Sequence, residues 1–87
     1  MLKEIIVVKN PSGLHLRPAG LLCKEAMKFK SRITFGSRGS VANAKSVLSV
    51  LGAGVKSGDE IELVCEGEDE VAAMERIMAL MENGLME

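Results

Sequence analysis

His15 is the only histidine in this chain of 87 residues, and Arg17 follows it two positions later. Pro18 then opens a segment with the apolar spacing of a helix, and proline suits a first helical turn because its missing N–H leaves no hydrogen bond unmade. His15 and Arg17 therefore stand where a loop becomes a helix. Unpaired N–H groups and the positive end of the helix dipole gather at such a place. An imidazole, a guanidinium and free backbone donors together suit a phosphoryl group.

The predicted helix start also favours a particular form of the histidine. The dipole disfavours an imidazolium, so a neutral and nucleophilic imidazole is favoured there. The guanidinium of Arg17 would compensate phosphoryl oxygens, for which its fork is better shaped than a lysine. A lone histidine is more often structural, and it is the combination with Arg17, Pro18 and the Ser12–Gly13 turn that indicates a phosphoryl-accepting site.

The two cysteines, Cys23 and Cys65, are predicted to be core thiols. Two cysteines lack the density of a secreted disulfide scaffold. Cys23 lies eight residues after His15, too far along a helix for the pair of a Cys/His hydrolase, which is the competing enzyme hypothesis. One histidine and two cysteines also lack the spacing of metal ligands, so we expect neither a metal nor a cofactor.

The composition predicts a single domain over residues 1–87, since a chain of this length has no room for a second core. The net charge is −1 and there is no tryptophan or tyrosine, which argues against direct nucleic-acid binding by electrostatics or base stacking. No apolar run approaches the length of a membrane span, and no secretory signal opens the sequence. We expect a cytoplasmic protein without membrane insertion.

Hydrophobic periodicity predicts the element order βαββαβα. Strands are expected over Leu2–Val8, Ser31–Phe35, Ser40–Asn43 and Glu60–Glu66, and helices after His15, Ser46 and Glu70. Ser46 is the expected N-cap of the short middle helix. This order predicts an α+β domain with helices covering one face of a sheet.

Within these elements the spacing also predicts burial. In the first helix, Glu25 is expected on the surface and Met27 on an extension of the buried side. In the last helix, the expected core stripe is Val71, Met74, Met78, Met81 and Leu85. The acidic residues Glu66, Glu68, Asp69 and Glu70 are expected to form a solvated turn.

Two motifs carry a resemblance to a known family. The segment Gly13–Ala19 resembles the active-site signature of HPr, the histidine-containing phosphocarrier family of the bacterial sugar phosphotransferase system. The segment Lys45–Leu51 resembles the regulatory serine segment of HPr proteins from Gram-positive-type bacteria, and Gly54–Leu63 follows as in that family. Leu16 and Gly20 depart from the family pattern, which often has alanine at the first position and threonine or alanine at the second.

The resemblance implies an open-faced β-sandwich, a four-stranded antiparallel sheet with three helices on one side. It further implies that His15 accepts a phosphoryl group on Nδ1 from phosphorylated enzyme I and passes it to an enzyme IIA. Arg17 would balance charge, and Ser12 and Leu16 would support the phosphate. Such a protein is a stoichiometric carrier and not an enzyme.

Regulation is implied as well. An ATP-dependent HPr kinase/phosphorylase would phosphorylate Ser46, and the product would act as corepressor with the catabolite control repressor. The alternative is a purely regulatory module acting through phosphorylated Ser46, although histidine rather than glutamine at position 15 argues against the HPr-like regulatory paralogue. We expect a monomer whose partners dock on an apolar patch, the docking patch, formed by Leu16, Gly20, Val47, Leu48 and Leu51.

Overall fold

A computed structural model describes residues 1–86, with side chains through residue 85. The elements are β1 (Leu2–Val7), α1 (Leu16–Ala26), β2 (Arg32–Ser37), β3 (Ser40–Asn43), α2 (Val47–Gly52), β4 (Glu60–Glu66), α3 (Glu70–Glu82) and a 3₁₀ turn, Gly84–Met86. The predicted order βαββαβα is confirmed. The closing 3₁₀ turn was not predicted.

The four strands form one antiparallel sheet in the order β1-β4-β2-β3. Strand β4 lies between β1 and β2, and its alternating pattern buries Ile61, Leu63 and Cys65 as predicted. Ile33 and Phe35 of β2 face the same core. The three helices cover this face, so the fold is the expected open-faced β-sandwich.

Helix α1 buries the predicted residues Ala19, Leu22, Cys23 and Ala26, but the structure corrects two neighbouring predictions. Glu25 is buried because Arg76 of α3 and Lys28 bring cations to its carboxylate at 2.5 and 2.8 Å. The hydrogen bonds from Lys28 and then Arg76 lower the pKa of Glu25. Met27 is 65% exposed, because α1 ends at Ala26 and the chain turns away.

Helix α3 buries most of the predicted stripe, and Val71 is the exception. Its buried residues are Ala73, Met74, Ile77, Leu80 and Met81, whereas Val71 is 61% exposed. The predicted stripe runs at spacings of three, four, three and four residues, but at about 100° per residue Val71 lies roughly 120° around the helix from the buried Ile77, beyond the edge of the core face. Met74, Met78 and Met81 pack in or against the core, as predicted, and so does Leu85 in the 3₁₀ turn that follows.

The acidic turn before α3 is not simply solvated. Asp69 accepts hydrogen bonds from the backbone N–H groups of Lys30 and Ser31, each at 2.8 Å, and from the Ser31 hydroxyl. These bonds, that of the hydroxyl above all, lower the pKa of Asp69 to about 2. Glu70 accepts a 3.1 Å bond from the N–H of Gly67. The turn therefore fastens α3 to the end of the α1–β2 connection.

Candidate functional site

The loop that leads to His15 is held by a close backbone contact with residues 54–57. Gly13 has a φ of +66°, and a Cβ added there would lie 2.6 Å from the carbonyl oxygen of Val55 and 2.8 Å from the Cα of Lys56. The next residue, Leu14, is buried and donates its N–H to that same carbonyl at 3.0 Å. Only glycine fits this approach, so the loop and the segment 54–57 form one platform.

His15 occupies the N-cap of α1 with an extended backbone, and its ring makes no capping hydrogen bond. Its carbonyl accepts the first helical bond, from the N–H of Ala19 at 2.8 Å. The N–H groups of Leu16 and Arg17 precede that first bonded donor, and Pro18 has none to offer. The structure thus confirms that His15 and Arg17 stand at a helix start, both exposed to solvent.

A hollow of about 190 Å³ opens beside His15, and its lining comes from three segments of the chain. Its lining comes from the loop, from α2 and from the segment after α2: Leu14, His15, Leu51, Gly54, Val55 and Lys56. Leu51 was predicted as a docking residue. Lys56 was missed, because the segment Lys56–Asp59 reads from the sequence as an ordinary turn.

The residues of the docking patch have unequal exposure. Leu48 is 83% and Leu16 is 70% exposed, on the neighbouring helices α2 and α1. Val47 and Leu51 are half-buried against the core, and Gly20 faces open space. Two exposed leucines therefore stand on a partly buried base, and the use of this surface for docking stays a prediction.

Ser46 is the N-cap of α2, as predicted, and its hydroxyl accepts the N–H of Ser49 at 3.2 Å. Lys45, the residue before Ser46, connects this cap to the C-terminal half of α1 and to the residues that follow that helix. The Cys23 thiol donates to the carbonyl of Lys45 at 3.0 Å, and the Lys45 ammonium donates to that of Phe29 at 2.7 Å. Cys23 lies roughly 12 Å along the helix axis from His15, at 1.5 Å per residue. Ser46 and His15 thus flank the docking patch from opposite ends.

Both cysteines are free and buried, which confirms them as core thiols. Burial raises the pKa of the Cys65 thiol. Across residues 1–86, no three or more His, Cys, Asp or Glu side chains cluster closely enough to hold a metal ion. No helix in that range has the length and apolar character needed to cross a membrane.

The fold and this helix start define a small open-faced β-sandwich protein that presents one histidine to solvent. Residues 2–83 match the family described as "PTS HPr component phosphorylation site", so the chain belongs to the HPr family of phosphotransferase-system phosphocarriers. It is 41% identical over 83 residues to the phosphocarrier protein HPr of Mycoplasma pneumoniae, covering 94% of each chain.

Two further comparisons bear on the fold and on regulation. A crystal structure of HPr from Thermoanaerobacter tengcongensis superimposes with a TM-score of 0.96 at 37% identity, covering 100% of this chain and 98% of that one. The HPr-like protein Crh of Halalkalibacterium halodurans is 39% identical over 82 residues, covering 94% of this chain and 98% of Crh.

Proposed function

We propose that this phosphocarrier acts through His15, which accepts a phosphoryl group from phosphorylated enzyme I and gives it to an enzyme IIA. The observation that carries the proposal is the free and exposed imidazole at the N-cap of α1. A side chain at this position usually bonds the N–H groups of its own helix. Here those donors are left for another acceptor.

In the proposed transfer the phosphoryl group moves between two imidazoles. The lone pair of His15 Nδ1 forms the new N–P bond, while the electron pair of the old N–P bond returns to the enzyme I histidine. The N–H groups of Leu16 and Arg17 and the Arg17 guanidinium would bear on the phosphoryl oxygens. Ser12, in the loop before Gly13, would complete the cradle. The second transfer, to enzyme IIA, is the same step with the roles exchanged.

The test is transfer from labelled phosphoenolpyruvate in the presence of purified enzyme I. The wild type should take up one acid-labile label, as a phosphoramidate does, and His15→Ala should take up none. Arg17→Lys keeps the charge but loses the bidentate fork, so it should label several-fold more slowly. An acid-stable label, or an undiminished label on His15→Ala, would refute the assignment.

We further propose that Ser46 is phosphorylated by an ATP-dependent HPr kinase/phosphorylase, and that the product acts with the catabolite control repressor. The support is the place of Ser46 at the start of α2, where a phosphate meets the positive end of the helix dipole. The partly exposed cap lies next to the exposed Leu48.

The alternative function is a purely regulatory module in which His15 is little used. The observation that favours this alternative is the similarity to the HPr-like protein Crh. The enzyme I assay separates the two, because a purely regulatory module would take no label from phosphoenolpyruvate. We also propose that the protein works in the cytoplasm as a monomer, which sedimentation of the purified chain would check.

A further inference from the structure

We propose that Lys56 is a second cationic group of the phosphoryl site, which contacts the phosphoryl oxygens from the segment after α2 and not from the α1 helix start. The inference rests on the proposed transfer through His15. Lys56 and His15 line the same hollow of about 190 Å³. Arg17 comes from helix α1, whereas Lys56 comes from the segment that follows α2.

The backbone of Lys56 is fixed relative to His15. A Cβ on Gly13 would stand 2.8 Å from the Lys56 Cα and 3.0 Å from the N of Ser57, so the loop and this segment touch without an intervening side chain. On the other side, the N–H of Lys56 donates to the Asp59 carboxylate at 2.9 Å. The flexible part is therefore the four-carbon stem alone, which carries the ammonium.

The ammonium of Lys56 has no competing partner within residues 1–86. Asp59 is the nearest acidic residue along the chain, and Arg38 already pairs with its carboxylate at 2.8 Å. Lys28 and Lys30 pair with glutamates, and Lys45 is bonded to a carbonyl. Lys56 is in no ion pair of the described chain, as is true of Lys3, Lys9 and Lys24, but of these four lysines it is Lys56 that lines the hollow beside His15. An unpaired cation beside the reacting histidine is free to meet the doubly charged phosphoryl group.

The surroundings strengthen such a contact. Leu14 and Val55 are buried and Leu51 is half-buried, so apolar side chains form much of the wall that Lys56 and His15 share. Charge interactions weaken less in such a place than in open water. When an incoming partner covers the hollow and excludes solvent, the ammonium would stabilise the charge on the phosphoryl oxygens during transfer. It supplies charge only, so the balance of the transfer step is unchanged.

The experiment compares Lys56→Met with Lys3→Met in single-turnover transfer from phosphorylated enzyme I. Lys3 is an exposed lysine on β1, whose side chain lies on the open face of the sheet. Its variant loses the same charge, so it controls for general electrostatic steering. We expect Lys56→Met to transfer about three- to ten-fold more slowly, Lys56→Arg to recover most of the rate, and Lys3→Met to match the wild type.

A second measurement separates contact with the phosphoryl group from an effect on docking. The ³¹P chemical shift and the hydrolysis half-life of the isolated phosphoprotein should change in Lys56→Met and not in Lys3→Met. Wild-type transfer rates for Lys56→Met, or equal slowing in Lys56→Met and Lys3→Met, would overturn the proposed role of Lys56. The proposed role of His15 would be unaffected by either result. An unlabelled wild type would overturn the proposed function and the role of Lys56 with it. His15→Ala, run alongside, verifies that the label measured is the one on His15.

Discussion

The starts of helices α1 and α3 share one sequence pattern, but the N-cap side chain has a different role in each. Each N-cap residue, His15 or Asp69, follows a glycine two positions earlier. Gly13 lies against the backbone at Val55, and Gly67 has a φ of +150° with its Cβ position 2.7 Å from Ser31. Neither N-cap side chain bonds its own helix. Asp69 binds Lys30 and Ser31 instead, whereas the ring of His15 is left free.

The difference shows how one local motif can serve stability or function. At α3 the glycine brings a serine within reach of the N-cap carboxylate, and the fold gains three hydrogen bonds. At α1 the glycine brings up a carbonyl and a lysine-bearing segment, which leave the imidazole open. The start of α3 is a closed junction, because groups of its own chain occupy the N-cap side chain. The start of α1 is an open junction, because its N-cap side chain is left for a partner.

The largest expected effect comes from removing each N-cap side chain in turn. His15→Ala should lose all labelling by enzyme I and keep the wild-type Tm, because its exposed ring bonds nothing in the described chain. Asp69→Ala should keep the label but melt earlier, because it leaves the N–H and hydroxyl of Ser31 without their acceptor. Ser31 is 1% exposed, and an unsatisfied buried donor costs about 1–3 kcal/mol. Labelling and thermal melts of both variants check the comparison, and a large Tm loss in His15→Ala would break it.

The start of α2 should serve both stability, through the Ser46 cap, and function, through the neighbouring docking patch, so Ser46→Asp is the next test. An aspartate can still cap the helix, so the Tm should be kept. The new anion at the edge of the docking patch should weaken enzyme I binding, and each ~1.4 kcal/mol of repulsion is a tenfold loss. We expect transfer to fall ten-fold or more, and more still for true phosphoserine, whose charge is about −1.5 to −2.

Ser46→Ala is the control for this test. It removes the bond to Ser49 at a cost of about 0.5–2 kcal/mol, but it adds no charge. It should therefore melt earlier and transfer normally. Equal transfer by Ser46→Asp and the wild type would refute the coupling between the two sites, and an early-melting Ser46→Asp would trace the slowing to the fold.

A smaller effect is expected from the exposed apolar residues beside the two kinds of junction. Leu48 stands in the first turn of α2 within the docking patch, and Val71 stands in the first turn of α3. Both are largely exposed, so Leu48→Glu and Val71→Glu should each leave the Tm nearly unchanged. Only Leu48→Glu should weaken enzyme I binding, by several-fold in a titration. Equal weakening by both would move the docking surface elsewhere, and unfolding of Leu48→Glu would make Leu48 a core residue.

The smallest expected effect is the acid dependence of the closed junction. The pKa of Asp69 in the folded protein is about 2, below its ordinary value of 3.8. A carboxyl with a lowered pKa contributes stability that is present above the ordinary value and is lost as the pH falls through the folded one. The stability gap between the wild type and Asp69→Asn should therefore be full at pH 5 and close between about pH 4 and pH 2.

Urea unfolding of the two proteins across that range measures this gap. Glu25 and Glu70 also have lowered pKa values, but they are present in both proteins, so the difference isolates Asp69. A gap that is independent of pH would mean that the charge of Asp69 adds nothing to its hydrogen bonds.

The element order, the inward face of β4 and the helix start at His15 could all be predicted from the amino-acid sequence. Each of these follows from local rules, namely alternation in a strand, proline in a first turn and serine at a cap. The family could also be recognised from the sequence, because two of its motifs stand at compatible spacing. None of these inferences needed a contact between distant residues.

The hydrogen-bond and ion-pair partners of the polar side chains could not be predicted, because they depend on long-range packing. Glu25 reads as a surface residue until Arg76, 51 positions away, reaches its carboxylate. Asp69 is expected from the sequence to be solvated, but the connection between α1 and β2 places Ser31 within hydrogen-bond distance of its carboxylate. Lys56 reads as part of a turn until Gly13 packs on its backbone and places it beside His15. Such pairings depend on how the helices cross the sheet, and periodicity within one segment carries no information about that.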